Sequence, residues 1–228
     1  RFDLLAEFVA SDNVENDRLM IKGLTTNDLY DLFTERLATE WDERFSPLQS
    51  TAEHLGLTKK ALSNYLNRQS VPVSLLAEFF DSTERLLAWV PGDVTLGMKH
   101  DRTEIDRFVE LNERVATLLG YYAAKGFSRQ QETLNGIVHQ TTICGTEDET
   151  RQFFVETLRE EFGVDPYEET HVNVTVSGRL LRTFLDTVLN AGIYAHTKRV
   201  PQCVFDAPDE LVGAYLSGYF SGNGIVSE

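Results

Sequence analysis

The chain has 228 residues, 42% of them hydrophobic, which is enough for one large domain or two modest ones with a real core. Asp and Glu number 36 against 21 Lys and Arg, a formal net charge of -15 and the reverse of the basic balance usual in a nucleic-acid-binding domain. Charged residues interrupt every apolar stretch well short of the roughly 20 residues a membrane helix needs, and no targeting segment is present, so no membrane partner is expected.

Lysine occurs only at positions 22, 59, 60, 99, 125 and 198. An acidic, lysine-poor surface suits a cytoplasmic location in a high-salt cytosol, where the Debye length near 1 M is about 3 Å and self-repulsion is screened. An ordinary acidic protein that touches no nucleic acid has the same composition. Cys144 and Cys203 are isolated thiols of a reducing compartment, and the histidines (His54, His100, His139, His171, His196) lack metal-ligand spacing.

In chain order, amphipathic helices are predicted around Asp3 to Val9 and Asn27 to Arg44, covering the core of the module that follows. That module, Pro47 to Leu66 (PLQSTAEHLGLTKKALSNYL), has helix-turn-helix spacing. Ala52 lies where two helices cross, Gly56 supplies the positive φ of the turn, Thr58 caps the second helix, and Leu62 and Leu66 face inward. The outward face would carry Lys59, Lys60, Ser63, Asn64 and Asn67, with Arg68 behind, side chains suited to phosphates and base edges. A plain helical hairpin with solvated lysines is the alternative. Leu75 to Trp89 reads as another helix, broken at Val90-Pro91-Gly92, and Asp93 to Glu104 as a linker.

Two later stretches look like one short helix written twice. They are Leu118-Leu119-Gly120-Tyr121-Tyr122-Ala123-Ala124-Lys125-Gly126 and Leu216-Ser217-Gly218-Tyr219-Phe220-Ser221-Gly222-Asn223-Gly224. Small residues four apart (Gly120 with Ala124, Gly218 with Gly222) imply close approach of two backbones, because Gly is otherwise less favourable than Ala in a helix by about 1 kcal/mol. Gly126 and Gly224 are read as left-handed residues ending these helices. Between the repeats, Gly136 to Gly145 is strand-rich, and Thr146 to Glu149 reads as a capping box opening a helix that stops at Gly163. Val172, Val174 and Val176 alternate in a second strand, and a helix runs from Ser177 to about Gly192. Lys198-Arg199-Val200-Pro201 precedes the second repeat, and a surface lysine before a turn proline would look the same.

The repeated helix resembles the signature of LAGLIDADG, or dodecapeptide, homing endonucleases, especially the domains inside inteins of archaeal, here haloarchaeal, replication proteins. The resemblance covers about Leu118 to Val226, and more loosely the helix-turn-helix. It implies an α+β fold: an N-terminal all-α helix-turn-helix region (1–92), a linker (93–104) and an αββαββα half-domain with the second signature helix (105–228). It implies double-stranded DNA as partner, a saddle-shaped sheet over the major groove with Arg129, His139 and Gln140 as candidate readers, and a monomer. In the active family, carboxylates at the helix ends hold Mg²⁺ for two-metal hydrolysis of phosphodiester bonds. Those positions are Lys125 and Asn223 here, and Lys198 matches the family's active-site lysine.

An ammonium about 4 Å from a divalent ion at an effective dielectric of 20 is repelled by roughly 8 kcal/mol, the amount by which a carboxylate would be attracted. No metal is therefore expected to bind as the chain is written, and the endonuclease is expected to be inactive. A complete enzyme would carry another half-domain after the second signature, and the nucleophile and His-Asn pair of protein splicing are not seen, so a fragment of a longer intein-bearing host is expected. A non-catalytic DNA-binding regulator on the same fold and an inert structural insertion are the alternatives.

Overall fold

The computed structural model describes every residue except Asn13, 38–46, Arg102, Asn135 and 224–228. In chain order the elements are β1 (Phe2–Asp3), α1 (Leu4–Ala10), β2 (Leu19–Lys22), α2 (Thr26–Leu37), α3 (Pro47–His54), α4 (Lys59–Arg68), β3 (Ser70–Pro72), α5 (Val73–Ala77), α6 (Thr83–Trp89), β4 (Thr95–Met98), β5 (Glu104–Asp106) and β6 (Phe108–Val109). They continue with α7 (Glu113–Lys125), β7 (Gly126–Thr133), β8 (Gly136–Cys144), α8 (Asp148–Phe162), β9 (Tyr167–Thr170), β10 (Asn173–Ser177) and α9 (Arg179–Thr183), which runs into a π turn at Phe184–Val188. A 3-10 turn (Ala195–Thr197), α10 (Gln202–Phe205) and α11 (Asp209–Asn223) complete the order. The class is α+β, as expected.

The chain divides into two units, one of Val14–Lys99 and the other of Arg1–Asn13 with His100–Glu228. The first unit is not all-helical, contrary to expectation. β2 pairs antiparallel with β3 (Ile21↔Val71) and with β4 (Ile21↔Leu96), a register that buries Ile21, Val71 and Leu96 completely. Each strand is only three or four residues long, too short to show a period in the sequence. β4 also occupies part of the stretch read as a linker.

The helix-turn-helix elements lie where the sequence puts them. Gly56 has φ +63°, Thr58 Oγ1 accepts from the Ala61 N–H at 3.2 Å, and Ala52, Leu62 and Leu66 are buried. The helix read over Leu75 to Trp89 is two helices, α5 and α6, because Ser82 starts a new one by accepting from the Arg85 N–H at 3.4 Å.

The N-terminal residues belong to the other unit rather than covering the helix-turn-helix. β1 pairs with β6, the Leu4 N–H donates to the Arg107 carbonyl at 2.7 Å, and Phe2 packs edge-on against Phe184 at 5.4 Å. The buried Arg107 guanidinium makes a two-pronged ion pair with Asp3, Nε to Oδ1 at 3.1 Å and Nη2 to Oδ2 at 2.7 Å.

The core of this unit is an antiparallel sheet of order β7-β8-β10-β9. One face, carrying Ser128, Thr141, Ile143, Val174 and Val176, is buried under helices. The order α7-β7-β8-α8-β9-β10-α9 is the expected αββαββα. Local endings differ from the sequence reading at three places. Gly126 is extended (φ -86°, ψ 158°) because the chain passes from α7 directly into β7, and a Cβ there would collide with the Tyr122 ring and lie 2.6 Å from its carbonyl oxygen. α8 is capped at Glu147 without a side-chain hydrogen bond, so the capping box does not form. Ser177 ends β10, and Gly178 begins the next helix. Gly163 does end α8 with φ +65°. Gly224 and the predicted helix residues 38–44 lie outside the described residues.

The repeated helices, α7 and α11, pack backbone on backbone. A Cβ on Gly120 would collide with the Tyr215 carbonyl oxygen, one on Gly218 with the Thr117 carbonyl oxygen, and one on Gly222 would come within 2.6 Å of Ala124 Cβ. Exchanging 117 with 215, 120 with 218 and 124 with 222 maps this set of contacts onto itself, the signature of a local twofold axis between the helices.

Gly213, on the same helix, would place a Cβ in open space. In urea denaturation, Gly213→Ala is expected to stabilise by about 0.5–1 kcal/mol. Gly218→Ala is expected to destabilise by about 2 kcal/mol or more, because a backbone oxygen cannot step aside.

Candidate nucleic-acid interface

Three surfaces hold the residues that the sequence singles out. On α4, Lys59, Lys60, Asn64, Asn67 and Arg68 are exposed and Ser63 is half-buried, while Leu62 and Leu66 face the core. Asn67 Nδ2 donates to Ser63 Oγ at 3.4 Å, one turn away. The helix contains three cations and no acid.

The second surface is the sheet face turned away from α7. Arg129 Nε donates to Gln140 Oε1 at 2.7 Å, Arg129 Nη2 donates to Glu169 Oε1 at 2.7 Å, and Gln140 Nε2 donates to the Tyr167 hydroxyl at 2.7 Å. Gln140 is thus held at both ends of its amide with one N–H and one lone pair left over, the pair that an adenine edge would use. His139 does not join this face. Strand alternation turns it toward α9, where burial first, then Arg182 and Arg179, pull its pKa below the ordinary value.

The third surface is a cleft of about 420 Å³ at the C-terminal ends of α7 and α11, walled by Lys198, Arg199, Tyr215, Tyr219 and Asn223 and floored by Gly126 and the alanines before it. Lys198 and Asn223 therefore share a site. Lys125 is exposed, and its ammonium acts instead on the Cys144 thiol, partly offsetting the upward push of burial on that group.

The loop that carries Lys198 is tightly held. Ser128 N–H donates to the Ile193 carbonyl at 3.0 Å, Arg199 N–H to the Ala191 carbonyl at 3.1 Å, and the Tyr122 hydroxyl to the Gly192 carbonyl at 3.0 Å. The loop seats Lys198 Nζ 3.0 Å from the centre of the Tyr122 ring. Nζ is buried without a hydrogen-bond partner, and burial pulls its pKa down to about 7. Burial also pushes the Tyr122 and Tyr215 phenols up to about 12.

This donor set does not fit Mg²⁺, which wants oxygen ligands with negative charge. Among the described residues, the cleft walls carry two cations and an amide but no carboxylate, and no group of three His, Cys, Asp or Glu could hold a metal. Sequence reasoning missed Tyr167 and Glu169, because Tyr167–Thr170 is an exposed strand without alternating hydrophobicity. It also missed Arg199 and Tyr215 as cleft walls, although Arg199 adjoins the lysine already marked.

No family model matches the chain. It is 31% identical over 227 residues to the DNA polymerase II large subunit of Haloquadratum walsbyi, covering 96% of this chain and 10% of that protein. It is 32% identical over 219 residues to the DNA polymerase II large subunit of Thermococcus kodakarensis, covering 92% of this chain and 12% of that protein. An uncharacterized protein of Methanocaldococcus jannaschii is 22% identical over 228 residues, covering 97% of this chain and 23% of that one. The chain thus spans about a tenth of the length of the two polymerase subunits. Among the described residues no helix is long and apolar enough to cross a membrane.

The unpartnered ammonium of Lys198 costs stability. Desolvation of an ammonium, worth several kcal/mol, outweighs a cation–π contact worth about 0.5–2 kcal/mol. An unfolded lysine titrates near 10.5. Between about 7 and 10.5 the unfolded chain therefore binds more protons than the folded one, and stability rises with pH. Lys198→Met is expected to be more stable than the parent below pH 7, with the gap closing as pH rises toward 10.5, read from urea midpoints of the two proteins across that range.

Proposed function

We propose that this chain is a DNA-recognising, catalytically inactive homing-endonuclease domain of the LAGLIDADG type, borne by an intein in an archaeal replication protein. The observation that carries this reading is the reciprocal backbone contact of α7 and α11, which ends in a cleft where Lys198 and Asn223 stand and, among the described residues, no carboxylate does. Similarity to two archaeal DNA polymerase II large subunits, of which the chain covers about a tenth, supports a polymerase as host. In this reading the helix-turn-helix grips one stretch of duplex through Lys59, Lys60 and Arg68, and the open sheet face reads another through Arg129 and Gln140. The protein works as a monomer in a high-salt cytosol, attached to the host and its splicing domain.

The parent chain is expected to shift duplex spanning the uninterrupted insertion site in molar KCl, and to leave scrambled duplex unshifted. Lys59→Ala/Lys60→Ala is expected to weaken this binding about tenfold or more through the loss of phosphate contacts. Restoring the acids with Lys125→Glu/Asn223→Asp is expected to give Mg²⁺-dependent cleavage of the same duplex. Binding without rescued cleavage would favour a regulator that kept the fold for recognition alone. No binding at any salt would favour an inert insertion.

A further inference from the structure

The unit of Val14–Lys99 holds a cleft of about 610 Å³, within the roughly 300–1,000 Å³ usual for small-ligand sites. The turn of the helix-turn-helix, with His54 and Leu57, and Tyr65 of α4 form part of its wall. Tyr65 is two residues from Ser63 and from Asn67, so it leaves α4 on the side opposite theirs. The chain before β2 and the end of β4 supply Asp17 and Lys99, brought together by the Lys99 N–H donating to the Arg18 carbonyl at 2.7 Å. α5 supplies Ser74, whose N–H donates to the Asn16 carbonyl at 3.1 Å, and Glu78 follows one turn farther on.

The charges of this cleft are unspent. In the same unit Arg18 pairs with Glu15 and Arg85 with Asp81, whereas Asp17, Glu78 and Lys99 make no ion pair among the described residues. A carboxylate and an ammonium that share a cleft without meeting each other complement the α-ammonium and α-carboxylate of a free amino acid. Glu78, farther along, calls for a second cation on the ligand, and the Tyr65 ring offers a face on which a planar cation can lie. A phosphate would meet both carboxylates here, so the cleft does not extend the DNA-facing side of α4.

We propose that this cleft binds a free basic amino acid. Asp17 takes its α-ammonium, Lys99 its α-carboxylate, and Glu78 its side-chain cation, which lies against Tyr65. Leu57 and Pro72 cover the aliphatic stem. Stacking on the ring favours a planar guanidinium, so L-arginine is the expected ligand ahead of L-lysine. The assignment does not rest on the DNA-binding reading.

The test is a titration of the ¹⁵N-labelled full chain with L-arginine in molar KCl, where screening suppresses unspecific attraction of a cation to an acidic surface. The amide signals of 55–57 and Tyr65 are expected to shift saturably. Agmatine lacks the carboxylate, 5-guanidinopentanoic acid lacks the α-ammonium, and L-norvaline lacks the guanidinium, and each is expected to bind about fivefold or more weakly than L-arginine. Each variant is expected to lose one preference: Lys99→Met that over agmatine, Asp17→Asn that over 5-guanidinopentanoic acid, and Glu78→Gln that over L-norvaline. All three side chains are exposed, so the variants keep the fold. No saturable shift at the turn and Tyr65 overturns the site. Saturable binding in which all three variants keep the parent's order of preference overturns the assigned contacts.

Discussion

The contact between Gly120 on α7 and the Tyr215 carbonyl on α11, with its mirror between Gly218 and Thr117, fixes the rest of the second unit. Backbones this close leave no room for adjustment in rotation or register. The C-terminal ends of both helices must therefore meet at one place, whatever residues stand there. A cleft forms at that meeting point because the chain leaves α7 at an extended Gly126 and enters β7 at once. The same strand forms one edge of the sheet whose open face carries Arg129. Helix contact, cleft and open sheet face are thus consequences of one packing decision, made by small residues that an isolated helix would not favour.

Tyr122 links these levels. Its ring is buried beneath α7, its hydroxyl reaches Ser128 on β7 and the Gly192 carbonyl, and its face receives Lys198. Ser128 Oγ in turn lies 3.0 Å from Thr141 Oγ1 of β8, which extends the row of hydrogen-bonded hydroxyls. A phenol buried in this way stays neutral far above physiological pH, so it works as a fixed polar strut rather than as a titrating group. The ammonium it carries is a different matter. It costs stability in the free protein, and structural lysines seldom sit with Nζ buried and unbonded.

The sequence showed most clearly the features set by local chemistry. Gly56, Thr58 and the buried Leu62 and Leu66 fell where helix-turn-helix spacing puts them, because turn sterics and capping act within a few residues. The glycine repeat announced helix contact for the same reason. What stayed hidden was non-local. β2, β3 and β4 are strands because they pair with one another, and a three-residue run carries no period that says so. The docking of Phe2 and Asp3 on β6, about a hundred residues away, rests on Arg107, an arginine that looks like any other in the sequence. His139 and Gln140 are adjacent in sequence and opposite in space, and choosing between their faces required the register with β7 and β10. Lys198 was marked by its resemblance, but its burial over Tyr122 follows from a loop closed by contacts to α7 and β7.

Net charge and local charge then separate. Many arginines of the second unit are committed to carboxylates: Arg107 to Asp3, Arg129 to Glu169, Arg151 to Asp148 and Glu168, Arg159 to Asp165, and Arg114 to Glu160. The acids of these pairs contribute to the total of -15 while holding the fold together. In molar salt, exposed ion pairs and phosphate contacts both fade with screening. Hydrogen bonds to base edges release no counterions and keep their strength. A surface built to read DNA under those conditions would rely on amides that are already oriented, and Gln140 is pinned between Arg129 and Tyr167 in that manner, with Asn64 and Asn67 on the exposed face of α4.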